Sequence, residues 1–263
     1  MTTKAFHPIP RVHAELTPSS GRRFAAIIFD MGSTLLEYDN IPWPTLYRIS
    51  VDAVYDRLAR LGHKPPEREA LHERFQNLLD RRRARIHNGH HEYHIGDLLR
   101  TLAQANGTRL RRGELSALCD AYYAPITRAV SAYPDARPTL ARLHGAGYTI
   151  GLLSNTCFRA ADHQYDLERF GLWPFFSATF FTSNGRYRKP HPEPFREICR
   201  RLSVSPKRCL YIGDRQKEDV QGPQGVGMQA VLVRRPHRKY EPGLTQCAEV
   251  TTLLELIDRI PLD

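Results

Sequence analysis

Four short stretches of this 263-residue chain carry side chains that could do chemistry together, and each follows an apolar run. They are Asp30-Met31-Gly32-Ser33-Thr34, then Ser154-Asn155, then Lys189 within Tyr187-Arg188-Lys189-Pro190, then Gly213-Asp214 with Asp219 five residues on. Aspartate can attack phosphorus and form an aspartyl phosphate. Two or three carboxylates at one point repel unless a hard cation sits among them, and Mg²⁺ with its oxygen ligands is the natural occupant. Lys189 would offset the charge of nucleophile and phosphoryl group, while Ser154 and N–H groups of the loop after Asp30 could hold phosphate oxygens. Singly, each signal has an ordinary reading: an Asp ending a strand can be an N-cap, Gly-Asp a turn, and a Lys before Pro solvated surface. Four in this order, each past a strand, favour the joint reading.

For these residues to meet, the runs before them must be parallel strands of one sheet, because ligands gather at the carboxyl ends of such strands. The run over 24–29 is nearly continuous in apolar residues, as a strand buried on both faces should be. Further strands are predicted over 148–153, 178–181, 209–212 and 229–233. Helices are predicted over 135–145, 158–169, from near Pro192, near 216–225, and over 251–260. This alternation implies βαβ units and a parallel sheet with right-handed crossovers. Between about 44 and 130 the period is helical instead. Val51, Val54, Tyr55, Leu58 and Leu61 form one stripe, and Leu71, Phe75, Leu78 and Leu79 the next. Ile95, Leu98, Leu99 and Leu102 follow, then Leu115, Leu118, Cys119 and Tyr122, so about four helices and no strand are expected there.

Composition narrows the class. Lys+Arg 38 against Asp+Glu 28 gives a formal charge of +10, and 41% hydrophobic residues is ordinary for a globular protein. No run approaches the roughly 20 apolar residues of a membrane span, and no signal-peptide core is visible. Five scattered cysteines without a C-x-x-C pair argue against a disulfide framework or zinc ribbon and for a reducing, cytoplasmic setting. The positive charge suits anionic ligands or nucleic acid, and composition does not choose between them. Residues 1–23 read as a flexible leader.

The segments Ile27-Ile28-Phe29-Asp30-Met31-Gly32-Ser33-Thr34, Thr149-Ile150-Gly151-Leu152-Leu153-Ser154-Asn155, Arg188-Lys189-Pro190-His191-Pro192 and Tyr211-Ile212-Gly213-Asp214 with Asp219 resemble the four motifs of the haloacid dehalogenase-like hydrolases. The resemblance covers residues 24 to about 233. It implies a Rossmann-like α/β core over 24–40 and 131–263, and an inserted α-helical cap over 41–130. It also implies Asp30 as nucleophile and Lys189 as its catalytic partner, with Ser154, Asn155, Gly32 and Lys189 around the phosphoryl group. Asp30, the Gly32 carbonyl, Asp214 and Asp219 would hold Mg²⁺. The Asp214 and Asp219 pair resembles the phosphatase branch rather than the metal-free dehalogenases, so a phosphatase of a small phosphorylated metabolite is the leading expectation.

Gly32 departs from that pattern, since most phosphatases of the family carry there an Asp that serves as general acid and base. Loss of such help costs about 10²–10⁴-fold, less for a good leaving group. Three readings stay open: a substrate with an acidic leaving group, a substitute acid from the cap, or a phospholigand-binding protein with little turnover. A haloacid dehalogenase, in which Asp30 attacks carbon, is the enzyme-class rival. The stretch His87-Asn88-Gly89-His90-His91-Glu92-Tyr93-His94 offers His90 and His94 as a metal pair only if helical, and is read as an inter-helix connection. Arg81-Arg82-Arg83-Ala84-Arg85, and Arg234-Arg235 with His237-Arg238-Lys239, are read first as solvated basic faces, second as collars for an anionic substrate, third as nucleic-acid contacts. Phe175, Phe176, Phe180 and Phe181 are read as core. Oligomeric state is not legible.

Overall fold

The apolar run after residue 24 becomes the central strand of the sheet, β1 (Ala26–Phe29), and all four of its residues are buried. The computed structural model describes residues 24–258 apart from 88, 245 and 246, so the expected leader and the end of the expected C-terminal helix lie outside the described residues. Two short strands, β2 (Leu36–Glu37) and β3 (Ser131–Ala132), pair antiparallel where the chain leaves the sheet and returns to it. The remaining strands are β4 (Thr149–Ser154), β5 (Ala178–Phe181), β6 (Cys209–Gly213), β7 (Gln229–Val233) and β8 (Ala248–Val250). With β1 they form a six-stranded sheet in the order β5-β4-β1-β6-β7-β8, parallel throughout.

Strand alternation assigns β1 to two cores at once. Ile27 and Phe29 join the larger core with Leu140, Leu143 and Leu167, whereas Ala26 and Ile28 face Phe195, Ile198 and Cys199. The helices that cover these faces are α5 (Ala136–Gly145), α6 (Ala160–Arg169), α7 (Pro192–Leu202) and the three-residue α8 (Gly222–Gln224), once the inserted helices are numbered first. Those are α1 (Trp43–Arg60), α2 (Arg68–His87), α3 (Ile95–Ala105) and α4 (Glu114–Ala129). Most of their predicted stripes are buried: Val51, Val54 and Leu58, then Leu71, Phe75 and Leu79, then Ile95, Leu98, Leu99 and Leu102, then Leu118, Cys119 and Tyr122, with Tyr55, Leu61, Leu78 and Leu115 half-buried against the same core. Gly151 is required by close approach, because a Cβ there would stand 2.8 Å from Leu202 Cδ1 on α7. No helix among the described residues is long and apolar enough to cross a membrane.

Three local expectations change. The predicted helix over 251–260 is a single 3₁₀ turn, Leu254–Leu256, among the described residues. Glu255 turns its carboxylate back onto the N–H groups of Thr251 and Thr252, and Asp135 takes the N–H of Leu253 at 2.7 Å. A tight turn buries Leu253, Leu256 and Ile257 with the same spacing that suggested a longer helix. The predicted helix near 216–225 opens as a π-helical turn, Gln216–Gln221. Strand β8 is a three-residue edge too short to carry a pattern. Of the four phenylalanines, Phe180 and Phe181 are buried, while Phe175 and Phe176 are half-buried against the larger core.

A buried polar knot ties α4 to α6. Asp166 on α6 accepts from Tyr123 at 2.6 Å and from Thr127, both on α4, and His163 pairs with Tyr123 at 3.1 Å and Thr156 at 2.6 Å. Burial lowers His163 to about 3, so the ring is neutral and serves as a hydrogen-bonding partner rather than a charge. Asp166→Ala would leave the Thr127 hydroxyl without this acceptor and Tyr123 still paired with His163, at about 1–3 kcal/mol for a buried group left unpaired. Calorimetry should show Tm falling by about 2–4 °C per kcal/mol lost, with helix content by circular dichroism unchanged.

Candidate active site

Because β1, β4 and β6 run in parallel register, their ends bring Asp30, Ser154 and Gly213-Asp214 to one edge. Lys189 enters from the connection between β5 and α7 and completes the group. Its Nζ lies 2.6 Å from Asp30 Oδ1 and 2.6 Å from Asp219 Oδ1, and it donates also to the Tyr211 hydroxyl at 2.9 Å. At 3% exposure Lys189 is not solvated surface. Burial alone would lower its pKa, but the carboxylates of Asp219 and Asp30 outweigh that and hold it well above the ordinary value, so it is an ammonium. Burial raises Asp30, with Lys189 opposing the rise and Asp219 adding repulsion.

Two neighbours set this geometry. Asn155 uses its carboxamide on both sides of Lys189, donating to its carbonyl at 3.0 Å and accepting from its N–H at 2.8 Å. The carboxamide thus holds the main chain of Lys189 while Asn155 also lines the cavity beside Asp30. The π-helical turn folds Asp219 back over Gly213, where a Cβ would sit 2.4 Å from Asp219 Cγ. Only glycine fits there. Ser154 lines the cavity beside Asp30, and Thr34 Oγ1 donates to Asp30 Oδ2 at 3.2 Å.

The carboxylates of Asp30, Asp214 and Asp219 have oxygens within 4.8 Å of one another, and all three residues are buried. Burial and repulsion from Asp219 and Asp30 push Asp214 up to about 7, against the pull of Arg238. Arg238 Nε donates to Asp214 Oδ2 at 2.6 Å, while Asp214 Oδ1 is buried with no hydrogen-bond partner. An orphaned buried oxygen is costly. A hard cation with oxygen ligands would satisfy it and relieve the crowding, so this donor set fits Mg²⁺. Asp219 already has both oxygens engaged, one by Lys189 and one by the Arg215 N–H at 2.9 Å. Of the two acids, Asp214 is the one with an oxygen to spare. Gly32 lines the same cavity, and a Cβ on it would meet only Tyr38 Cδ2 at 3.7 Å.

Arg235 and Arg238 correct the reading of their loop as solvated. Arg235 is buried, caps the ring of Tyr133 at 3.6 Å, and donates to the carbonyls of Ser33 at 2.7 Å and Thr34 at 2.8 Å. Arg238 reaches Ser33 Oγ at 2.8 Å as well as Asp214. Between them they hold Ser33, whose φ of 55° puts a non-glycine residue in the left-handed region at a cost of about 1–3 kcal/mol. The only sequence signal for this role is the position of the loop, just past a strand at the same sheet edge.

The cavity over these groups measures about 250 Å³ and is shared with the inserted helices. Glu92 does not enter as an acid. It pairs with Arg188 at 3.4 Å and accepts from Thr182 at 2.5 Å, fastening the α2–α3 connection to the sheet edge. His90 and His94 are exposed in that connection and belong to no metal-ligating cluster among the described residues. Arg83 of the basic run is spoken for, donating to the Tyr47 hydroxyl at 2.9 Å. Gly213→Ala must displace Asp219 and with it one anchor of Lys189. Overpacking of this kind costs about 1–3 kcal/mol, and thermal melts should show the loss together with a steep fall in any activity that needs Lys189.

The family model of the haloacid dehalogenase-like hydrolases matches residues 24–227. The chain is 30% identical over 167 residues to a glyceraldehyde 3-phosphate phosphatase of Methanopyrus kandleri, covering 64% of this chain and 67% of that protein. Among solved structures, it resembles a HAD phosphatase of Thermococcus onnurineus with TM-score 0.60 and 25% identity, over 89% of this chain and 96% of the other. It also shares the fold of a 2-haloacid dehalogenase of Pseudomonas syringae pv. tomato, with TM-score 0.63 and 24% identity over 89% and 97% of the two chains.

Proposed function

The chain belongs to the haloacid dehalogenase-like hydrolases, and from that premise we propose that it is a Mg²⁺-dependent phosphatase of a small phosphorylated metabolite. The observation that carries this reading is the buried Lys189 ammonium between Asp30 and Asp219, with Asp214 alongside. Such a floor attracts a phosphoryl group, draws Asp30 toward its ionised form through Lys189, and leaves Asp214 an oxygen to spare for a cation. Similarity to a protein named as a glyceraldehyde 3-phosphate phosphatase supports the same chemistry. We assign its work to the cytoplasm, which suits five cysteines that form no disulfide among the described residues.

In this mechanism an Asp30 oxygen attacks phosphorus while the bond from phosphorus to the leaving oxygen breaks, its electron pair staying on that oxygen. Water then attacks phosphorus, frees inorganic phosphate and restores the Asp30 carboxylate, and the proton it gives up balances the one the departed alkoxide takes. Lys189 neutralises Asp30 and the incoming phosphoryl oxygens, and Ser154 holds those oxygens in line. Mg²⁺, when held by Asp30, Asp214, Asp219 and the Gly32 carbonyl, supplies further charge neutralisation. The inserted helices act as a cap that limits water and selects the leaving group. Gly32 favours a second reading, a phospholigand-binding protein with little turnover, because no carboxylic acid stands two residues after Asp30.

Phosphate release from acyl, aryl and sugar phosphates should require Mg²⁺, stop with EDTA, and vanish in Asp30→Asn. Binding of phosphate analogues without release would favour the binding protein, and halide release from haloacids without metal would favour a dehalogenase. At Gly32 a Cβ would meet only Tyr38 Cδ2 at 3.7 Å, so Gly32→Asp should be tolerated at that atom and, by supplying the missing acid, should raise kcat/KM on sugar phosphates by about 10²-fold.

A further inference from the structure

The acidic floor of the cavity faces a wall of rings. Trp43 and Tyr47 come from α1, Tyr93 from just before α3, Tyr122 from α4 and Phe158 from the loop after β4, and all five line the cavity that holds Asp30. Trp43 and Tyr47 stand 5.4 Å apart between ring centroids, tilted by 34°, and Tyr122 and Phe158 stand 6.2 Å apart. The polar tips of the first two are already used within the protein. Trp43 Nε1 donates to Asp39 at 2.8 Å, and the Tyr47 hydroxyl accepts from Arg83. Trp43 offers a ligand ring surface, and Tyr47 offers its ring together with the proton of its hydroxyl. The hydroxyls of a sugar or short polyol would lose water against the rings, which is costly wherever no polar side chain of the lining reaches them. A flat apolar group would stack there favourably.

The leaving oxygen meets a second constraint at Gly32. With no acid two residues after the nucleophile, that oxygen has no proton donor at that position, which favours one of low proton affinity. A phenol loses its proton near pH 10, far more readily than an alkyl alcohol does. The cavity, at about 250 Å³, is smaller than the roughly 300–1,000 Å³ of drug-sized ligand sites. It suits one ring and a phosphoryl group rather than a nucleotide.

Resting on the phosphatase reading above, we propose that the substrate is a phosphate monoester of an aromatic, phenol-like alcohol. The ring stacks on the wall led by Trp43, and the bond from phosphorus to the phenolic oxygen breaks as Asp30 attacks. The electron pair leaves on the phenoxide, and no protein acid is needed.

The test compares kcat/KM for substituted phenyl phosphates of graded phenol acidity with acetyl phosphate and glycerol 3-phosphate, all with Mg²⁺. Acetyl phosphate has a good leaving group but no ring, and glycerol 3-phosphate has neither. Aryl esters should exceed both by at least about tenfold and improve as the phenol becomes more acidic. Trp43→Ala should depress kcat/KM for the aryl esters about tenfold more than for acetyl phosphate, and Trp43→Phe should recover most of that difference. Phenylphosphonate, which cannot be cleaved, should bind wild type about tenfold more tightly than methylphosphonate by calorimetry. Equal use of acetyl and aryl phosphates, with Trp43→Ala affecting both alike, would overturn the aryl assignment and leave the phosphatase standing. A preference for glycerol 3-phosphate would do the same. Phosphate release from none of the three would overturn the phosphatase reading itself.

Discussion

A buried ammonium between two buried carboxylates is the constraint that the site is arranged around. Taking three charges out of water is affordable only when they meet at hydrogen-bond distance and their remaining polar contacts are filled. Lys189 meets that condition through Asp30, Asp219 and the Tyr211 hydroxyl. Each contact then dictates something further away. Asn155 must grip the main chain of Lys189, residue 213 must lack a Cβ so that Asp219 can lie against the strand, and the turn after β6 must widen into a π-helix to bring Asp219 back. Removing one member leaves uncompensated charge in the interior, which is why such positions tolerate little change.

Charge balance explains why the site suits an anion and a cation together. Asp30, Asp214 and Asp219 face Lys189 and Arg238, so the ionised cluster keeps an excess of negative charge, and Asp214 keeps one oxygen unpaired. That excess favours a divalent cation, and the cation with Lys189 favours a phosphoryl group. Arg238 contributes by engaging one oxygen of Asp214 and leaving the other, while Arg235 pins the loop after β1 in its left-handed turn at Ser33. Two arginines distant in sequence from Asp30 thereby shape the loop that follows it.

The site's strengths and its gap are complementary. The paired charges of the cluster are in place, whereas residue 32 carries no carboxylic acid. The inserted helices contribute ring surface to the cavity, and Glu92 is turned away into a pairing with Arg188.

By itself the sequence determined the elements that obey a short period and the residues at their ends. The run over 24–29 had to be a strand buried on both faces, the stripes of α1 to α4 had to be helical, and Asp30, Ser154 and Asp214 had to stand at one edge once the strands were parallel. Lys189 was legible through its order in the chain, although its ordinary surroundings as a Lys before Pro pointed to the surface. Tertiary structure alone decided what depends on contacts across the chain. Arg238 reaches Asp214 from 24 residues away, Asn155 turns to Lys189 across 34, and Arg235 holds Ser33 across 202. The shared ring wall of Trp43, Tyr122 and Phe158 likewise exists only after the helices pack. Local patterns record which face of an element is apolar, but they carry no record of where a long side chain goes when a distant partner is brought beside it.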